Sequence, residues 1–143
     1  MGKKRIVATG GEGGEAAKMV VVARGSKKKL IGGILNIQAT YNNTKLSLSD
    51  SGGNIVAWSS SGSLGFKGAK KGTTFAAGKV GELLADKAQN MGMKDVEVVI
   101  KGIGSGRESA LRAFISRGIN INSIQDATPM PFNGPKPRKP RRV

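Results

Sequence analysis

A chain of 143 residues with 38% apolar content has the material for one domain with a modest core. It contains no cysteine and no histidine, which excludes disulfides, thiolate metal sites, cysteine nucleophiles and imidazole acid–base chemistry from the chain itself. A net charge of +15, from 24 Lys and Arg against 9 Asp and Glu, opposes compaction of a lone monomer and points to a polyanionic partner. Nucleic acid fits this better than a membrane surface, since no apolar run nears 20 residues and no basic amphipathic helix can be drawn.

The chain opens on "MGKKRI", with "MVVVA" following at residues 19–23. That apolar patch is shorter than a signal-peptide core, and Ile6 stands where a myristoylation signal requires Ser or Thr, so a soluble, intracellular protein is expected. Residues 1–29 carry 8 basic and 2 acidic residues and are expected to form a flexible basic extension; "GGEGGEAAK" within them matches no motif.

Residues 30–128, with 11 basic and 7 acidic residues, have the periodicities of an α/β domain. Leu35, Ile37 and Ala39 alternate with Asn36, Gln38 and Thr40, as in a half-buried strand. After "YNNT", Leu46 and Leu48 alternate again, and "SGGN" then turns the chain into a third strand, "IVAWS". Short turns between the three predict an antiparallel meander. The glycine-rich, basic loop "SSSGSLGFKGAKKGT" comes next and leads into a helix capped by Thr73 or Thr74, with Ala76, Val80, Leu83, Leu84 and Met91 on one face and Gly92 as its C-terminal stop. Gly78 and Gly81 inside that helix each cost about 1 kcal/mol relative to Ala, so a close approach is expected at both. Glu82 and Asp86, beside Lys79 and Lys87, read as a solvated helix face.

"DVEVVIKG" gives a fourth strand, and a second helix, with Leu111, Phe114 and Ile115 directed inward, ends near Gly118 before a fifth strand through Ile119, Ile121 and Ile124. Strand, helix and strand of this length make a parallel crossover, so the five-stranded sheet is mixed and carries two main helices. Between strand and helix lie Gly102, Gly104 and Gly106, with Ser105 and Glu108 spaced as a capping box. Backbone N–H groups at a helix start form an anion site, and Asp126 even follows at the distance a ribose-binding acid keeps. The spacing is nevertheless G-x-G-x-G and not the dinucleotide G-x-G-x-x-G, and no stretch near Lys67, Lys70, Lys71 or Lys79 satisfies the nucleoside-triphosphate loop. Two readings remain for the turn: a phosphate clamp completed by Arg107, or a tight turn that simply needs glycine.

All five prolines fall in residues 129–143, together with 5 basic and no acidic residues. Proline holds such a segment extended, so "PMPFNGPKPRKPRRV" is expected to be an arm whose cations neutralise phosphates along a groove in folded nucleic acid. A disordered solubility tail is the alternative.

Four stretches, "ATYNNT" (39–44), "WSSSGSLGFKGAKKGT" (58–73), "VVIKGIGSGRESALRA" (98–113) and "QDATPMPFNGPKPRKPRRV" (125–143), resemble signature segments of the small-subunit ribosomal protein of the S-eleven family, bacterial and organellar type. The resemblance covers roughly residues 30–143. It implies an RNase H-like core on the platform of the small ribosomal subunit, touching several helices of 16S-type rRNA and platform proteins of the S-seven and S-eighteen families, near mRNA in the Shine–Dalgarno cleft. Carried over by position, rRNA contacts fall on Tyr41, Asn42 and Asn43, on Lys67, Lys70 and Lys71, on Gly102, Gly104, Gly106 and Arg107, and on Asn133, Lys136, Arg138, Lys139, Arg141 and Arg142. Phe132, Pro135 and Lys136 stand where the family has His, Cys and Arg, although Phe132 offers a ring for stacking.

An RNase H-like core raises the question of metal-dependent nuclease activity, which needs carboxylates on the first strand. That strand offers Asn36 and Gln38 instead, so no enzyme, cofactor, metal or small-molecule substrate is expected. A free-standing basic nucleic-acid-binding protein of histone-like type is the second reading; it would normally bring dimer-forming helices or a groove-entering wedge, and neither is visible.

Overall fold

Alternation along the first strand decides which side of the sheet is covered. In β1 (Gly32–Ala39) every second residue, Gly33, Leu35, Ile37 and Ala39, is buried, while Ile34, Asn36 and Gln38 point to the other face. The computed structural model describes residues 30–142; the expected N-terminal extension, 1–29, lies outside the described residues. β2 (Thr44–Asp50) and β3 (Ile55–Ser60) follow as an antiparallel meander, with Leu46, Leu48 and Ala57 on the covered side. β4 (Asp95–Lys101) then pairs parallel to β1, and β5 (Asn120–Asp126) parallel to β4, giving the order β3-β2-β1-β4-β5. This is a mixed five-stranded sheet, as expected.

Both helices, α1 (Thr74–Met91) and α2 (Gly106–Ile115), pack on the covered face, and one core joins the layers through Leu35, Ile37, Leu46, Leu48, Val80, Leu84, Val96, Val98 and Phe114. Thr73 is the cap of α1, its Oγ1 accepting from the Ala76 N–H at 3.3 Å, and Gly92 closes the helix in the left-handed conformation at φ 83°. The burying surface of α1 is built mostly from small residues, Ala76, Ala77, Ala85 and Ala88 around Val80 and Leu84, whereas Leu83 and Met91 are only half-buried.

Three expectations need correction. The two helix glycines are not equivalent: a Cβ at Gly81 would lie 2.5 Å from the Ala110 carbonyl oxygen of α2, but a Cβ at Gly78 would meet nothing within 4 Å. In α2 Phe114 is fully buried together with Ala110 and Gly106, and Leu111 packs half-buried against the core; of the three residues expected inward only Ile115 is exposed, as is Ile124 on β5. The capping box does not form. Ser105 is already helical at φ −64° and ψ −15°, so its side chain cannot turn back over the helix start, and its hydroxyl donates instead to the Gly72 carbonyl at 3.0 Å.

Candidate nucleic-acid interface

Parallel pairing of β1, β4 and β5 places the carboxyl ends of all three at one end of the sheet. The 40–43 turn, the 61–73 loop, the 102–105 turn and the chain after Asp126 therefore leave from the same end, and both helices begin there. Their positive dipole ends face the same way. Lys45, at the start of β2, and Lys101, at the end of β4, belong to this end too, whereas Asp50 and Asp95 mark the opposite one. Lysines thus flank the turns at this end, where Asp126, closing β5, is taken by Arg107.

Glycines weld the loops into one rim. In the 40–43 turn the Thr40 N–H donates to the Asn43 carbonyl at 2.9 Å, and the Asn43 N–H donates to Thr40 Oγ1 at 3.1 Å. Gly72 of the basic loop lies so close that a Cβ there would fall 2.0 Å from the Tyr41 carbonyl oxygen. From the other side, a Cβ at Gly102 or Gly104 would fall 2.1 Å from the Ala39 oxygen or 2.3 Å from the Thr40 oxygen, and one at Gly106 would fall 2.3 Å from Thr44 Oγ1. The Ser105 hydroxyl bond to Gly72 closes the circuit. Tyr41 projects outward, 75% exposed, while the Asn43 side-chain oxygen is enclosed and makes no hydrogen bond among the described residues.

The glycine turn is consequently not a cradle of bare N–H groups. Gly104 N–H donates to the Ala39 carbonyl at 3.0 Å and Gly102 N–H to Thr128 Oγ1 at 3.3 Å. Close approach of three backbones, with Gly102 at φ 98°, accounts for the glycines. Arg107 holds the next junction: its guanidinium donates to the Gly102 carbonyl at 2.6 Å and pairs with the Asp126 carboxylate. Asp126 also accepts from the Thr128 hydroxyl at 2.6 Å and from the Thr128 N–H at 2.9 Å. These bonds, with the Thr128 hydroxyl first and Arg107 second, lower the Asp126 pKa from 3.8 to about 2. The acid that sits at ribose-binding distance in the sequence is in fact the tether of the arm.

Beyond this tether, residues 129–142 form neither helix nor strand; Asn133, Lys136, Arg138, Lys139, Arg141 and Arg142 are all exposed, and Asn133 has φ 54°. Lys67 precedes, and Lys70 and Lys71 lie within, a short 3₁₀ turn, Gly68–Gly72, leading into α1. None of the ion pairs among the described residues engages Lys67, Lys70 or Lys71. Glu82 and Asp86, by contrast, are occupied. Glu82 lies 3.0 Å from Lys79 and 4.0 Å from Arg117, and Asp86 lies 3.4 Å from Arg117, which ties α1 to the turn after α2. Among the described residues no group of three or more Asp, Glu, His or Cys is placed to hold a metal ion.

Sequence reasoning overlooked three residues of this end. Gln38 is in register with Lys45 on one side and Lys101 on the other, so the two exposed lysines flank it on the helix-free face. Their positions one or two residues from the turns were the available signal. The third is Phe75, in the first turn of α1, 66% exposed with its ring against Phe66 at 6.1 Å between centroids.

The family profile described as ribosomal protein S11 matches residues 33–142, which takes in all five strands but the first residue of β1, both helices and nearly the whole arm. By that match the chain belongs to the ribosomal protein S11 family: it is a small-subunit ribosomal protein, and it binds rRNA in the ribosome.

Proposed function

We propose that the rim at the carboxyl ends of β1, β4 and β5, together with the arm it anchors, is the rRNA-binding surface, and that the role is structural and not catalytic. The observation that carries this reading is convergence. Stretches separated by up to about a hundred residues, including Tyr41 to Asn43, Lys67 to Lys71, Gly102 to Arg107 and the 129–142 arm, meet or depart at one end, which Lys45 and Lys101 also flank. In this reading Lys67, Lys70, Lys71 and the arm cations neutralise phosphates, Tyr41 and Phe132 offer stacking surfaces, Asn42 presents its amide to the RNA, and Asn43 shapes the turn that holds Tyr41 and Asn42. Gly102, Gly104, Gly106 and Arg107 contribute by fixing the turn at the RNA and by seating the arm. Residues 30–128 act as the core, with 1–29 and 129–143 as basic extensions.

The finer assignment is the subunit platform, joining several helices of 16S-type rRNA beside proteins of the S-seven and S-eighteen families and close to mRNA in the Shine–Dalgarno cleft, in a cytoplasmic bacterial ribosome or its organellar counterpart. The cationic loop and the extended basic arm support a protein that stitches RNA segments together. Two measurements test it. Purified chain titrated with small-subunit rRNA should bind with a steep salt dependence, and the tagged chain should sediment with small subunits at moderate salt. Sedimentation apart from subunits would favour a free-standing nucleic-acid binder instead. Residue-mapped crosslinking within the intact subunit then checks the platform neighbours.

A further inference from the structure

Gly78 is the one helix-interior glycine of α1 that the fold does not require. Gly81, three residues on, gives up its side chain to let α2 cross; a Cβ at Gly78 would enter open space. Helix propensity alone disfavours glycine there. Its neighbour one turn back is Phe75, a large apolar ring left 66% exposed. Phe66 braces that ring edge-on, with planes 83° apart, and the Lys79 ammonium stands 5.8 Å from its centroid. The turn just before the helix carries Lys70 and Lys71, and the first turn of α1 contains no acidic residue.

An exposed ring, a stretch of bare helix backbone beside it and cations around both make a flat notch suited to a ligand with one aromatic face and an attached anion. We propose that Phe75 and Gly78 form a stacking notch for a single unpaired base of the rRNA, with Lys70 and Lys71 on the flanking phosphates and Lys79, paired with Glu82, standing beside the Phe75 ring; the inference rests on the rRNA-binding reading above. The base lies on the Phe75 ring, and the missing side chain at Gly78 leaves room for its edge along the helix. A protein partner would match the ring but not the lysines unless it brought acids to them, so RNA is the better fit to the charge.

The full chain and the variants Phe75→Leu, Phe75→Tyr, Gly78→Ala and Gly78→Leu are titrated with small-subunit rRNA and with a fully paired RNA duplex, across a salt series. Phe75→Leu should weaken rRNA binding between about fivefold and a hundredfold without changing the salt slope, since no phosphate contact is removed, while Phe75→Tyr binds like the parent. Gly78→Ala should raise the thermal midpoint by about 4 °C or more yet weaken rRNA binding, and Gly78→Leu should weaken it further. Duplex binding stays equal in all five proteins. If the parent chain shows no salt-dependent rRNA binding, the underlying reading falls. If it does and the Leu variants match it, the notch alone is overturned, as it is if those variants keep rRNA affinity but lose a protein neighbour in the subunit.

Discussion

Asp126 shows how one side chain changes its role between sequence and structure. Its carboxylate is held by the Thr128 hydroxyl, the Thr128 N–H and Arg107, and its pKa is depressed to about 2. A depressed carboxyl pKa contributes stability that is complete above the unfolded value, about 4, and is lost as pH falls toward 2. The Asp126→Asn protein is therefore expected to be less stable than the parent at neutral pH, with the gap closing between about pH 4 and pH 2; thermal midpoints across that range check it, and a constant gap would remove the carboxylate from the tether. Gly106 makes the complementary case of a missing side chain. A Cβ there would sit 2.3 Å from Thr44 Oγ1 and 2.8 Å from Ala77 Cβ, both on fully buried residues. Gly106→Ala should cost about 1 to 3 kcal/mol, read as a lower urea midpoint at unchanged m.

At the scale of elements, the α1–α2 crossing sets how closely the helical layer can close on the sheet. Small residues make the contact: Gly81 and Ala77 of α1, Ala110 and Ala113 of α2. Gly81→Ala gains roughly 1 kcal/mol in helix propensity, but its Cβ would press on the Ala110 carbonyl, a backbone atom that moves only if α2 moves. Overpacking dominates, and a net loss of about 1 to 2 kcal/mol is expected by denaturant unfolding. The opposite sign at Gly78, three residues away on the same helix, makes the pair an internal control. Edge strands behave less uniformly. α1 covers β3, with Ala57 and Ser59 buried, whereas β5 has little cover and leaves Ile124 57% exposed.

For the molecule as a whole, the expected property is a strongly salt-dependent grip. If 6 to 10 phosphates are engaged, rRNA affinity falls roughly 10³- to 10⁵-fold between 50 and 200 mM salt. The arm supplies five of the cations and lies beyond the last strand, exposed throughout 129–142. Deleting residues 129–143 should leave circular dichroism and the unfolding midpoint of the core unchanged while reducing the logarithmic salt slope by about 4. An unchanged slope would mean that the arm is solvated in the complex.

Much of the fold was legible in the residues. Leu35, Ile37 and Ala39, Leu46 and Leu48, and Val96, Val98 and Ile100 alternate because each strand has one covered face, and the Thr73 and Gly92 signals bounded α1 correctly because capping is local chemistry. The family was legible too, in four motifs that the profile match over residues 33–142 supports. What could not be read was anything decided by contacts between distant segments. Ser105 and Glu108 have capping-box spacing, yet Gly72, 33 residues away in sequence, takes the hydroxyl. Gly78 and Gly81 look alike in sequence, and only the position of α2 separates them. Gly102 to Gly106 have the composition of an anion cradle, but the Gly104 N–H is taken by the Ala39 carbonyl and the Gly102 N–H by Thr128 Oγ1, and the glycines admit the chain at Ala39, Thr40 and Thr44. The sequence by itself determined the elements, the sheet class and the cationic character, because these follow from periodicity and summed charge; tertiary structure alone decided which glycines face protein and which face open space, because excluded volume exists only between chains already brought together.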